Sequence, residues 1–178
     1  MTREDGPPGG TAFDAVVAGA GIAGCAAAAA LAEAGLTVLV VEPGQRAERR
    51  LSGELLHPPG LLGLKALGFV PPLAGREAAA IHGFCVFHDR GGGDAPTTLS
   101  YPGDAAAGLA MDHGTLRDAL TGQLRGRAGV TLLEGARVTG LDLADPEAPV
   151  AVLRPGPEGS GGIAPDWWTP RALSREVF

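Results

Sequence analysis

Residues 13–42 read FDAVVAGAGIAGCAAAAALAEAGLTVLVVE, and this stretch decides the fold. Phe13 to Ala18 is a short apolar run that feeds Gly19, the pattern of a buried strand ending in a turn. Ile22 to Glu33 predicts a helix, closed by Gly35 as a C-cap glycine closes one. Leu36 to Val41 is a second apolar run, rich in β-branched residues as parallel strands are, and Glu42 stands at its end. Strand, glycine turn, helix and strand within about 30 residues make a βαβ unit. The fold class expected is therefore α/β.

Gly19-Ala20-Gly21-Ile22-Ala23-Gly24 is a GxGxxG turn. The motif alone is weak in a chain with 29 glycines and 31 alanines, but here a strand precedes it and a helix follows. Gly19 allows the tight turn, Gly21 lets a pyrophosphate approach the backbone, and Gly24 lets the helix pack closely on the sheet. The phosphates would lie on free N–H groups at the helix start, where the dipole is positive. Glu42, 18 residues beyond Gly24, is placed to accept hydrogen bonds from an adenosine ribose. This pattern does not separate flavin from nicotinamide dinucleotides, and a ligand-free structural turn is the bland alternative.

Working outward, residues 1–12 carry acids, prolines and glycines without an apolar core and read as a loose leader, not an export signal. Pro43 to Leu51 is an arginine-rich connection. Pro58 to Leu67 predicts a helix stopped by Pro71 and Pro72. Ile81 to Asp89 and Thr97 to Tyr101 predict a small inserted antiparallel hairpin turning through Gly91–Gly93. His113 to Leu124 predicts an amphipathic helix with Leu116, Leu120 and Leu124 in step. Val130–Leu133, Arg137–Leu143 and Val150–Leu153 predict short strands. The domain is expected to span 13–153, with 154–178 an irregular tail.

Composition removes other classes. A net charge of −6, with Lys65 the only lysine, leaves no basic stripe for nucleic acid. The alanine run at Ala23–Leu31 is too short for a bilayer, which needs roughly 20 apolar residues. Cys25 and Cys85 make neither a disulfide scaffold nor a zinc site, and fit a reducing compartment as small buried apolar residues. His82, Cys85 and His88 recur every three residues, which on a strand sends them to both faces, away from a common metal. His113 is either a surface residue at a helix start or part of a site. Asp142, Asp145 and Glu147 read as solvated charges.

The run from Phe13 to Glu42, followed by Arg50, Gly53-Glu54, Pro58-Pro59-Gly60 and Leu67-Gly68, resembles the flavin-dependent, aromatic-hydroxylase-like monooxygenases, and within them the squalene monooxygenase (squalene epoxidase) family. Ile81-His82-Gly83-Phe84 is similar to that family's Asn-Gly-Tyr strand, and Met111-Asp112-His113-Gly114 to its His-His-Gly helix start. The resemblance covers about residues 13–153. It implies a Rossmann-like FAD-binding domain, with Gly19, Gly21, Ile22, Ala23 and Gly24 at the pyrophosphate, Glu42 and Pro43 at the ribose end, and Arg50 on the flavin. Three positions depart from the family: Pro43 stands where arginine is frequent, Phe84 replaces tyrosine, and Thr121 replaces an arginine that contacts flavin.

The activity implied is O₂-dependent epoxidation of a small apolar isoprenoid, with FAD as cofactor and NADPH as electron source, directly or through a reductase. The alternatives are an FAD-dependent isoprenoid reductase of the geranylgeranyl type and a truncated, non-catalytic dinucleotide-binding fragment. No side chain is assigned as a catalytic acid or base, and no metal is expected. The location implied is cytoplasmic, or peripheral to a membrane contacted only through regions outside these residues. The family's later Asp-Gly and Gly-Asp segments are not found here, so the 178-residue chain by itself is expected to be inactive. Shifted to the frame starting at the last base of the Asp166 codon, Asp166-Trp167-Trp168-Thr169 encodes Leu-Val-Asp, which resembles the missing segment. That reading places a frameshift between about Leu153 and Ile163; the alternative is a genuine divergent C-terminus.

Overall fold

The computed structural model describes residues 12–44, 53–70, 78–87, 95–103, 107–145 and 149–155. Arg50, the Pro71–Pro72 stop, the Gly91–Gly93 turn, His88, Glu147 and the tail with both tryptophans lie outside the described residues. The chain divides into two units, residues 1–49 with 121–178, and residues 50–120.

The first unit is the βαβ unit extended. Strand β1 (Ala15–Ala18), helix α1 (Ile22–Glu33) and strand β2 (Val38–Glu42) are followed, much later, by β8 (Val130–Glu134). These strands form a parallel sheet in the order β1-β2-β8, with Ala15 opposite Val38 and Val38 opposite Val130. The central strand is apolar at four successive positions because both of its faces are covered; Val38 to Val41 are all buried. Leu39 and Val41 enter a core with Leu133, Ala136 and Leu153. Strand alternation sends Val38 and Val40 to the other face.

Helix α1 buries Cys25, Ala28 and Ala29, small side chains that let it lie close to the sheet. It ends as its sequence demands. Gly35 takes φ +84°, its N–H donates to the Ala32 carbonyl, and Leu36 N–H reaches back to Leu31, the Schellman pairing. Asp14 and Thr37 clip the two strand entries together, the Thr37 N–H and hydroxyl both donating to Asp14 Oδ2 at 2.8 and 2.7 Å. Strands β9 (Ala136–Asp142) and β10 (Val150–Pro155) form an antiparallel pair with a bulge between Val152 and Leu153.

The second unit contains more sheet than the sequence predicted. Strand β3 (Gly53–Leu56), helix α2 (Pro58–Ala66), β4 (Ala78–Ile81), β5 (Gly83–Val86), β6 (Thr97–Ser100) and β7 (Gly108–Asp112) precede α3 (His113–Arg125). The expected hairpin exists as β5 paired antiparallel with β6, Phe84 opposite Leu99. Ile81, expected to begin it, instead belongs to β4, which pairs with β7. A three-stranded antiparallel sheet, β3-β7-β4, therefore accompanies the hairpin.

Helix α2 starts with Pro58, tolerated there because that N–H has no intrahelical acceptor. It ends at Gly68 in a second Schellman turn, which brings the buried Phe69 back over Leu64. Helix α3 is the predicted amphipathic one, with Leu116, Leu120 and Leu124 buried. Its residues through Leu120 cluster with the second unit, and Thr121 onward with the first.

Candidate functional site

The turn between β1 and α1 is built from three glycines with three different causes. Gly19 adopts φ +97°, which a side chain rarely tolerates, while its N–H donates to the Val41 carbonyl at 2.8 Å. Gly24 lies so close to the turn that a Cβ there would collide with the Gly19 carbonyl oxygen and approach Val17 Cγ1 at 3.5 Å. Gly21 has neither reason to be glycine. Its φ of −69° and ψ of −178° suit any residue, and a Cβ would meet nothing within 4 Å. Among the described residues the space beside Gly21 is open, so no contact there excludes a side chain; a partner approaching that backbone would, and an N-cap also favours glycine.

The helix start carries the matching charge. Gly21 is the N-cap without a side-chain capping bond, and the first turn of α1 holds no acidic residue. The first intrahelical bond runs from Cys25 N–H to the Gly21 carbonyl at 2.8 Å. The N–H groups of Ile22, Ala23 and Gly24 thus have no partner within the helix. Such an end attracts an anion, and phosphate oxygens satisfy it. Ile22 is half-buried and Ala23 exposed, both at this mouth.

Glu42, at the end of β2, turns toward the same loop. Its Oε2 accepts from the Ala20 N–H at 2.7 Å and its Oε1 from the Gly44 N–H at 3.2 Å, spanning the half-buried Pro43. A carboxylate offers about four lone-pair sites, so two remain for ribose hydroxyls. Ala20 is fully buried, and its carbonyl accepts from Cys25 Sγ at 3.4 Å and from Thr121 Oγ1 at 3.3 Å. Cys25 is buried as expected. Its contact with the loop carbonyl and the role of Thr121 have no signal in the local sequence.

In the second unit, two of the quoted motifs meet. Gly53 pairs with Asp112 across β3 and β7, and Glu54 Oε1 lies 2.5 Å from His113 Nδ1. Both side chains are about one-third exposed. Asp112 caps α3: its Oδ1 accepts the Thr115 N–H at 2.8 Å, and that bond, foremost, holds its carboxyl below the usual 3.8. His57 Nδ1 and Tyr101 OH are 2.7 Å apart, and Phe84 completes an aromatic trio with centroids 5.7–5.9 Å apart.

Cys85 corrects the sequence reading. It is exposed, with Sγ 3.7 Å from Thr98 Oγ1, because the two-stranded β5–β6 ribbon gives it no covering layer. Asp142 and Asp145 are solvated as predicted. Among the described residues, no cluster of His, Cys, Asp or Glu could hold a metal, and no helix is long and apolar enough to cross a membrane.

A parallel sheet, a glycine turn at a helix start and a strand-end carboxylate define a Rossmann-like fold, and residues 14–91 match the FAD dependent oxidoreductase family model. Among curated relatives, squalene epoxidase erg1 of Schizosaccharomyces pombe is 35% identical over 116 residues, 61% of this chain and 24% of that protein. Squalene monooxygenase of Mus musculus is 32% identical over 124 residues, 68% of this chain and 22% of that one. The chain thus spans about a quarter of the length of these relatives. The crystal structure of pqsL, a probable FAD-dependent monooxygenase from Pseudomonas aeruginosa, superposes with a TM-score of 0.61 at 25% identity, covering 79% of this chain and 38% of that one. Over its matched residues the chain is a homologue of FAD-dependent oxidoreductases, and squalene epoxidases are among its relatives.

Proposed function

We propose that this chain is the adenosine-binding part of a squalene-epoxidase-like flavin monooxygenase. The observation that carries the dinucleotide reading is Gly21: neither its backbone conformation nor its surroundings call for glycine, and the open space beside it abuts an uncapped helix start. The N–H groups of Gly21, Ile22 and Ala23 would hold the pyrophosphate of FAD, with Gly19 and Gly24 shaping the turn. The free lone pairs of Glu42 would take the ribose, Pro43 would border it, and Arg50 would contact the flavin.

Bound FAD would supply transfer of one oxygen atom from O₂, with electrons from NADPH directly or through a reductase partner. The chain's own part is to bind and orient the adenosine half of the cofactor. An apolar isoprenoid alkene is the substrate proposed, supported by the 35% identity over 116 residues to a squalene epoxidase. A cytoplasmic or membrane-peripheral location accords with such a substrate.

The test is a chimera in which residues 14–153 replace the matching segment of the fission-yeast enzyme. Flavin content is read first, then conversion of squalene to 2,3-oxidosqualene with NADPH and reductase. Flavin retention with epoxide formation supports the proposal. Flavin retention with hydride addition to an isoprenoid alkene would replace it by the reductase reading, and a folded, flavin-free chimera would overturn the dinucleotide site.

A further inference from the structure

The Ala20–Gly21 peptide is held from a distance. Its carbonyl accepts from Thr121 Oγ1 at 3.3 Å, a residue 101 positions away on α3, and from Cys25 Sγ at 3.4 Å. Both donors are buried, and they lie 3.9 Å from each other. A threonine in a helix usually bonds its own preceding turn; Thr121 reaches across to this loop instead. On the other side of Ala20, its N–H is fixed by Glu42 Oε2 at 2.7 Å.

The chemistry of the peptide bond makes this arrangement directional. The bond is planar and trans, and no cis bond occurs among the described residues. The Ala20 carbonyl and the Gly21 N–H are therefore antiparallel members of one plate. Drawing the carbonyl inward onto Thr121 and Cys25 aims the Gly21 N–H the opposite way, away from both donors.

We infer that Thr121 is a positioning residue for the pyrophosphate loop, orienting the Gly21 amide through the Ala20 carbonyl without touching the ligand. The inference rests on the dinucleotide reading above. It also gives the departure at this position a meaning: where the resembled family has an arginine on the flavin, this chain has a short buried hydroxyl on the loop. Loss of the hydroxyl frees the plate to rotate, and an amide that must be re-aimed on binding contributes less to affinity.

The experiment compares wild type, Thr121→Val and Thr121→Ser of the full chain by ¹⁵N NMR titration with ADP and with adenosine, after circular dichroism confirms the fold. Thr121→Val should weaken ADP about five- to tenfold, the worth of one hydrogen bond, and reduce the ADP-induced shift of the Gly21 amide. Adenosine, which has no phosphate, should bind within about twofold of wild type, and Thr121→Ser should restore ADP affinity. Equal ADP affinity in Thr121→Val, an equal loss for both ligands, or a Thr121→Ser variant as weak as Thr121→Val would overturn the inference. If Thr121→Val does not fold, Thr121→Ser alone decides, and anything short of near-wild-type ADP affinity in it overturns the inference. A wild type that binds ADP no better than adenosine would overturn the pyrophosphate reading itself.

Discussion

Replacing Gly24 with alanine sets two effects of opposite sign against each other. Alanine is the better helix former, so propensity alone stabilises α1 by about 1 kcal/mol. The new Cβ, however, would run into the Gly19 carbonyl oxygen and come within 3.1 Å of the Gly19 carbonyl carbon. These are backbone atoms, fixed in turn because Gly19 N–H holds the Val41 carbonyl at 2.8 Å. Relief requires α1 to lift from the sheet, loosening the packing of Cys25, Ala28 and Ala29.

Overpacking of a close contact costs about 1–3 kcal/mol, and the rigid partner puts this site at the upper end, leaving a net loss of about 2 kcal/mol. Gly122 in α3 is the control, since a Cβ there meets nothing within 4 Å. Gly122→Ala should stabilise by about 1 kcal/mol, so identical chemistry in two helices gives opposite signs. Urea denaturation followed by circular dichroism reads both; with a slope of about 2 kcal/mol/M, Gly24→Ala lowers the midpoint by about 1 M. A Gly24→Ala variant as stable as Gly122→Ala would refute the close strand–helix approach.

Glu42→Ala should weaken FAD binding by about 1–3 kcal/mol, the scale of a charged hydrogen bond, measured by flavin-fluorescence titration. It should also lower the thermal midpoint, because the Ala20 and Gly44 N–H groups lose their acceptor; unchanged affinity and midpoint would count against the site. The Asp112 cap sets a pH dependence. Its folded-state pKa is lowered, chiefly by the Thr115 N–H, so the cap contributes fully above the ordinary 3.8 and is lost as pH falls below it. Asp112→Asn should therefore flatten the acid limb of stability from about pH 4 downward, and parallel limbs for both proteins would contradict the cap.

The first unit is legible in the sequence because its signals are local. β2 is a run of four buried apolar residues, and Gly35 marks the helix end with the one backbone conformation that closes it. The second unit is less so. β4 reads Ala-Ala-Ala-Ile, which carries neither strand nor helix periodicity, and only its pairing with β7 makes it a strand. Cys85 misleads because exposure of a ribbon depends on what covers it, which one strand's sequence does not state. At the site, the glycine turn and Glu42 can be found by spacing. The Thr121 contact cannot, since it joins residues 101 apart and depends on where α3 enters the first unit.

The central claim is that Gly21 is glycine for the sake of a pyrophosphate. Titrating FAD into wild type and Gly21→Val, with folding checked by circular dichroism, tests it most directly. The φ of −69° and the open space around a Cβ admit a side chain, so valine should cost stability only through the N-cap preference for glycine, about 1 kcal/mol, and both proteins should fold. Wild type should change flavin fluorescence saturably and Gly21→Val should not. Equal binding by the two folded proteins, or no saturable binding by wild type, would contradict the account.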